Sequence, residues 1–335
     1  MLEHIIKAEI LWSRKCSLQC SYCRMATGEF VKKDINQWRE GVNQLLKFNC
    51  RFMPIYGAEP LDDFDYLPDF INYLKKKRVL NTIITSGISK DFKSKLKQLV
   101  NAGLESLSTS YDITGNDKYS SLKGDKAYKT LDLFKEYGKE NAKDLAIIMT
   151  LTRFNFKLVP EVIRRNTKKN IWTLFDFLHY DRGQPKSKTR NTPETFKLLF
   201  TDSDLIELKK VLLDIIDLKE KGYLVHQSKS FFKFIIDNIN IVKNLSWNCA
   251  KENNFPAWVT VNYDAEVFPC DDFQPSLQFK MYIDEIEKKW ENFKKIWRPL
   301  VQSKCPGCCW NTHIDAHLIK RNKENFEGYV HGRNY

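Results

Sequence analysis

Strand-like and helix-like segments alternate through the first 180 residues, and this alternation constrains the fold more than any other feature. Short apolar, β-branched runs bounded by polar or turn residues predict strands at 5–13, 51–57, 81–86, 104–112, 145–152 and 171–180. Between them, longer runs with apolar residues on one face predict helices at 35–48, 63–78, 89–101, 125–140 and 157–169. A strand followed by a helix returns to a parallel neighbour. The repetition therefore predicts an α/β protein, either a barrel or a doubly wound sheet. In both, chemistry gathers at the C-terminal ends of the strands.

The texture changes near residue 181. "DRGQPKSKTRNTPET" reads as a connecting loop. A long amphipathic helix follows over 201–220 and another helical segment over 228–243. "AWVTVNYDAEVFPC" (257–270) predicts a hairpin turning near Asp264-Ala265, and a helix over 283–302 leads into "CPGCCW" (305–310). Three regions are expected: 1–190, a helical connection over 191–245, and a smaller C-terminal α+β unit over 246–335.

Composition narrows the class. Hydrophobic residues make up 42% of the 335, enough for a core, so global disorder is excluded. No run is apolar enough to span a membrane, and Glu3, Lys7 and Glu9 interrupt what would be a signal peptide. A cytoplasmic protein is expected, with its nine cysteines reduced and available to metals or catalysis. The net charge of +12 raises a nucleic-acid reading. The basic clusters Lys75–Arg78 and Lys168-Lys169 lie in helix-like stretches without interleaved aromatics, so they read as solvated faces.

Directly after the first predicted strand, "RKCSLQCSYCRM" places Cys16, Cys20 and Cys23 within eight residues. Three thiolates can hold three irons of a 4Fe–4S cluster and leave the fourth open. A structural zinc site takes four closed ligands, and the next cysteine, Cys50, is 27 residues on. A zinc knuckle or chance clustering is the alternative.

The run from Cys16 to Cys23, with Tyr22 before the last cysteine, resembles the signature of the radical S-adenosylmethionine enzymes. The resemblance implies a partial (β/α)6 TIM-like barrel. It implies that the open iron binds the amino and carboxylate groups of S-adenosylmethionine, and that an electron from the cluster cleaves the sulfonium. The 5′-deoxyadenosyl radical so formed abstracts a hydrogen from the substrate. "YGAEP" (56–60) looks like the family's GGEP, casting Gly57, Ala58 and Glu59 as receivers of the methionine amino group. "TSG" (85–87) looks like its TNG and adds Ser86. Ser110 and Asp112 of "STSYDI" resemble its SxDG, and Arg153 and Asn155 of "TLTRFN" match a polar pair after the fifth strand. Structural readings stand beside these: a turn or helix-end charge for Glu59, caps for Ser110 and Asp112, a surface cation for Arg153. His179, Tyr180 and Arg182 close the sixth strand and are candidates to face substrate.

Cys249, Cys270, Cys305, Cys308 and Cys309 form a second set. "WNC…VFPC…CPGCCW" resembles the twitch or SPASM-like domain of some radical enzymes, which implies an auxiliary 4Fe–4S cluster on Cys249, Cys270, Cys305 and Cys308. Cys309 competes with Cys308, and as a free thiol it could donate hydrogen. Zinc suits four thiolates equally well. Cys50 reads as a buried apolar side chain. The resemblance implies abstraction from a small polar metabolite (sugar, aminocyclitol or nucleotide-linked), with oxidation through the auxiliary cluster. The start of the chain lies within 15 residues of the cysteine loop, an expectation against a leader-recognition domain ahead of it. Modification of a peptide or protein side chain is the alternative, and a non-catalytic nucleic-acid-binding metal protein a third. A reducing partner such as flavodoxin or ferredoxin is implied, and no membrane partner.

Overall fold

The computed structural model describes residues 4–18, 20, 23, 34–111, 118–179, 193–253, 255–270, 272–275 and 277–322. Six strands follow the predicted order: β1 (Lys7–Ser13), β2 (Phe52–Gly57), β3 (Leu80–Thr85), β4 (Ser106–Ser110), β5 (Asp144–Leu151) and β6 (Trp172–Phe177). Helices α1 (Ile35–Lys47), α2 (Leu67–Lys76), α3 (Phe92–Ala102), α4 (Lys118–Gly138) and α5 (Val159–Lys168) connect them. Neighbouring strands pair in parallel. Local chemistry sets several helix ends. Asp34 caps α1 by accepting from the Asn36 amide. The helix expected from residue 63 starts at Leu67, which leaves Pro68 in the first turn, where its missing N–H costs nothing.

In β5 the side chains alternate between the helical layer and the sheet's concave face. Leu145, Ile147, Met149 and Leu151 pack outward into the core, while Asp144, Ala146, Ile148 and Thr150 border a central cavity. Alternate residues of β1 to β4 and of β6 border the same cavity, so the sheet is curled into a partial barrel.

The C-terminal hairpin continues this sheet across the boundary expected at 245/246. β7 (Trp258–Val261) pairs in parallel with β1, Lys7 opposite Trp258 and Ile10 opposite Val261, and β8 (Val267–Phe268) pairs antiparallel with β7. The eight-stranded order is β6-β5-β4-β3-β2-β1-β7-β8. Beyond the six units lie α6 (Pro193–Leu198), α7 (Asp202–Glu220), α8 (Lys229–Asp237), α9 (Asn240–Asn244), α10 (Ile286–Lys304) and α11 (Asn311–Asn322). α11 was not foreseen. It has no polar face: residues 313 to 319 are all buried, including His313, Asp315 and His317. It is fixed to α8 through Asp315, which accepts hydrogen bonds from the Ser228 amide and hydroxyl. Trp310, Thr312 and His313 border the cavity from this side, and Val225 pairs with Thr173 on the free edge of β6. Among the described residues, no helix is long and apolar enough to cross a membrane.

Candidate active site

At the C-terminal mouth of the barrel, Cys16, Cys20 and Cys23 border one cavity of about 90 Å³ with Gly57, Ala58, Ser86 and Ser110. Backbone hydrogen bonds stitch the cysteine loop to the end of β2. Ala58 N donates to Ser13 O and Glu59 N to Lys15 O, each at 3.0 Å. Ser17 N donates to Asp62 Oδ2 at 2.7 Å, and Cys23 N to Cys20 O at 3.0 Å. Leu18 and Cys20 pack on Leu178 and Leu198 across the mouth. Burial pushes the Cys16 thiol up to about 12. Loading a metal there must therefore displace a proton.

The turn after β2 divides its tasks. Gly57 takes φ +151°, and a Cβ on it would lie 2.6 Å from Ser13 O. The glycine lets the turn press against β1. Ala58 needs no positive φ, so its Cβ is tolerated. The Glu59 side chain, 1% exposed, accepts from Thr85 Oγ1 at 2.7 Å, Ser86 N at 2.9 Å, the Ser86 hydroxyl and Leu61 N. Burial raises its pKa, and these four donors oppose the rise. Glu59 and Ser86 thus tie the ends of β2 and β3 together. Glu59→Gln turns an NH₂ toward those donors. Its expected effect is a loss of about 2 kcal/mol, read from the denaturant midpoint.

The cysteine cavity adjoins a larger one. Ile84 and Ser110 border both it and the barrel interior, whose volume is about 310 Å³. The interior walls include Asp176, His226, Trp258, Trp310 and His313, none of which the sequence reading singled out. Period-two alternation on β6 and β7 could have marked Asp176 and Trp258. The other three depend on α11 and on the 223–227 segment, which carry no such pattern.

His179 joins the barrel to the second cysteine set. Its Nδ1 lies 2.7 Å from Phe177 O, and its Nε2 accepts from Cys309 N at 3.0 Å. These bonds specify the neutral ring with the proton on Nδ1. The ring stacks on Trp310 at 3.9 Å. Trp310 Nε1 donates to Asp272 Oδ2, and the Asp272 amide donates to Cys270 Sγ at 3.4 Å.

Cys305 to Cys309 form a knuckle built on Gly307, whose φ is +96° and whose Cβ would lie 2.6 Å from Leu245 O. Trp247 and Cys308 exchange both backbone hydrogen bonds, which brings Cys249 alongside. Burial is the main cause that raises the thiols of Cys249, Cys305 and Cys308, and each of Cys249 and Cys308 also feels Cys305. Cys309, fully buried, instead feels Asp176 of the barrel wall. The two neighbouring cysteines thus sit in different surroundings, though Cys308 also feels Cys309. Cys50 is fully buried before β2, and burial holds its thiol at about 12.

Among the described residues, no three His, Cys, Asp or Glu side chains converge tightly enough to grip a single metal ion. Cys16, Cys20 and Cys23 instead surround a cavity. That arrangement suits a multi-iron group, in which each iron takes its own thiolate.

Two expected cofactor residues are engaged locally. Arg153 Nε pairs with Asp204 Oδ2 at 3.4 Å, at the start of α7. Asn155 folds back on its own strand end, accepting from Thr152 N at 2.8 Å and donating to Thr150 O at 2.9 Å. Tyr22, Asp112, Tyr180 and Arg182 lie outside the described residues.

Comparisons with known proteins bear on the family and the fold. Residues 10–165 match the family model described as Radical SAM superfamily. The fold resembles that of Streptococcus suis SuiB bound to S-adenosylmethionine, with a TM-score of 0.61 and 17% identity, over 91% of this chain and 71% of that one. SuiB bound to its precursor peptide SuiA gives 0.62 and 18%, over 89% and 67%. Native anSMEcpe with bound AdoMet and Cp18Cys peptide gives 0.55 and 15%, over 99% and 100%. No curated protein matches by sequence.

Proposed function

We propose that the chain is a radical S-adenosylmethionine enzyme in which Cys16, Cys20 and Cys23 would hold a 4Fe–4S cluster, a reading supported by the match of residues 10–165 to the Radical SAM superfamily model. The observation that carries this reading is the three thiols around one cavity, joined to the barrel interior at Ile84 and Ser110. When bound, cluster and cofactor together supply a radical able to abstract hydrogen from carbon. The protein's own residues do the positioning. The Gly57-Ala58 turn borders the cofactor cavity with backbone, and the Glu59–Ser86 bonds hold two strand ends in register beneath it. Leu18, Leu178 and Leu198 make the mouth apolar, which excludes water from a reactive species. The substrate carbon lies below Ser110, inside the barrel. A volume of about 310 Å³ suits a small polar metabolite or a single side chain.

Cys249, Cys270, Cys305 and Cys308 are read as holders of an auxiliary 4Fe–4S cluster. His179, Trp310 and Asp272 link the barrel wall to them. A cluster held there would accept an electron, which would suit an oxidative reaction. Cys309 is buried and feels Asp176 of the barrel wall, and in a redox-neutral reaction it is the candidate hydrogen donor. Modification of a peptide side chain is the second reading, favoured because solved proteins of this fold hold peptides. The test is anaerobic reconstitution with iron and sulfide, reduction, and chromatography for 5′-deoxyadenosine. Its formation supports the assignment, and none from fully loaded, reduced protein overturns it.

A further inference from the structure

The inner half of the barrel cavity holds three buried polar groups without a partner. His313 is 1% exposed, and among the described residues neither ring nitrogen has a hydrogen-bond partner. The same is true of Trp258 Nε1 and Thr82 Oγ1, on side chains 2% and 5% exposed. All three residues border the one cavity. Proteins pair nearly all their buried polar atoms, because an unpaired one carries its full desolvation penalty. Three on one cavity wall have the chemistry of a site that a ligand completes.

We propose that this inner wall recognises an uncharged hydrogen-bonding group of the substrate, an amide or a hydroxyl, and that His313 and Trp258 determine that specificity. The inference rests on the barrel interior being the substrate site. The donors and acceptors left unpaired decide the class of group. Lys7, opposite Trp258 in the sheet register, pairs with Glu9 at 2.5 Å. A carboxylate there would face Glu9, Asp144 and Asp176 and has no donor for the acceptor nitrogen of His313, while an ammonium has no acceptor for the Trp258 N–H. Burial and the nearby Lys7 hold His313 well below the usual histidine range, so its ring is neutral. A neutral imidazole offers one donor and one acceptor, an indole one donor, and a hydroxyl either. Amides and hydroxyls both donate and accept, and so complete that set. Phe52, Leu80 and Trp172 make the remaining wall apolar around the stem of the substrate. The recognised group sits at the N-terminal ends of the strands, and the reacting carbon lies toward Ser110 at the other end.

The test uses the full-length protein and N-methylacetamide as probe, with acetate and methylammonium as charged controls. In ¹⁵N-histidine-labelled wild type, the amide is expected to move the His313 ring resonances, assigned with His313→Gln, and the ions are not. His313→Leu is expected to raise the probe-free melting midpoint by about 1–2 °C, since it removes two unpaired buried nitrogens at similar volume. Trp258→Phe, in which the His313 ring remains to be read, is expected to weaken its amide response about tenfold. A lower midpoint in His313→Leu, an unchanged amide response in Trp258→Phe, or an equal response to the ions overturns the proposal. Absence of S-adenosylmethionine cleavage from the reconstituted, reduced wild type defeats the radical reading, and leaves the probe measurements to decide this one.

Discussion

Alanine at Cys16, Cys20 and Cys23 together is expected to bring 5′-deoxyadenosine formation down to background and to remove about four irons per chain. The three thiols are the cysteines of the mouth cavity, and the surrounding turn holds its shape through backbone bonds that alanine leaves intact. The melting midpoint of the cluster-free protein should therefore change little. Iron and sulfide analysis beside the cleavage assay reads both effects. The iron that remains is informative as well. About four per chain in the triple variant places a second cluster on the Cys249 set, while zinc in its place makes that set structural. Cleavage that survives in the triple variant would remove the loop from the chemistry.

Gly57→Ala should produce the second large effect, through shape alone. The added methyl would stand 2.6 Å from Ser13 O and 2.9 Å from Ser13 N, at a φ of +151°. Strained backbone and an overpacked contact each cost on the order of 1–3 kcal/mol, so a combined loss of about 3 kcal/mol is expected. The turn cannot retreat without lengthening the bonds from Ala58 N and Glu59 N to the cysteine loop. Cleavage activity should fall with stability, even though no liganding thiol is touched. Ala58→Gly is the control, with an expected loss of about 0.5–1 kcal/mol. Equal effects at the two positions, measured by denaturant midpoints, would show that close approach to β1 is not what the glycine provides.

The six βα units were legible because each strand and helix has its own periodicity, clearest in β5, where polar and apolar positions alternate. The mouth was legible because its cysteines and the "YGAEP" turn are local in sequence. Two things were not. The parallel pairing of β7 with β1 joins residues far apart along the chain, and nothing within either strand names its partner. α11 is buried on every side over residues 313–319 and mixes histidine and aspartate with leucine and isoleucine, so no amphipathic stripe marks it. With α11 unseen, the part of the cavity wall bearing Trp310 and His313 was unseen too. Cys308 and Cys309 were indistinguishable as letters. In the fold Cys308 pairs through its backbone with Trp247 and feels Cys249, while Cys309 feels Asp176.

The position of β1 between β2 and β7 also sets a timetable. During synthesis, one edge of β1 waits for a partner that emerges roughly 250 residues later, about 10–50 s at ordinary elongation rates. An open edge of apolar strand invites pairing with other chains. Lys7 and Glu9 lie on that strand and pair with each other, charges that discourage such contacts in the interval. The cysteine loop hangs from the end of the same strand. The strand that carries the cysteine loop is therefore paired on both edges only after the ribosome has passed residue 261.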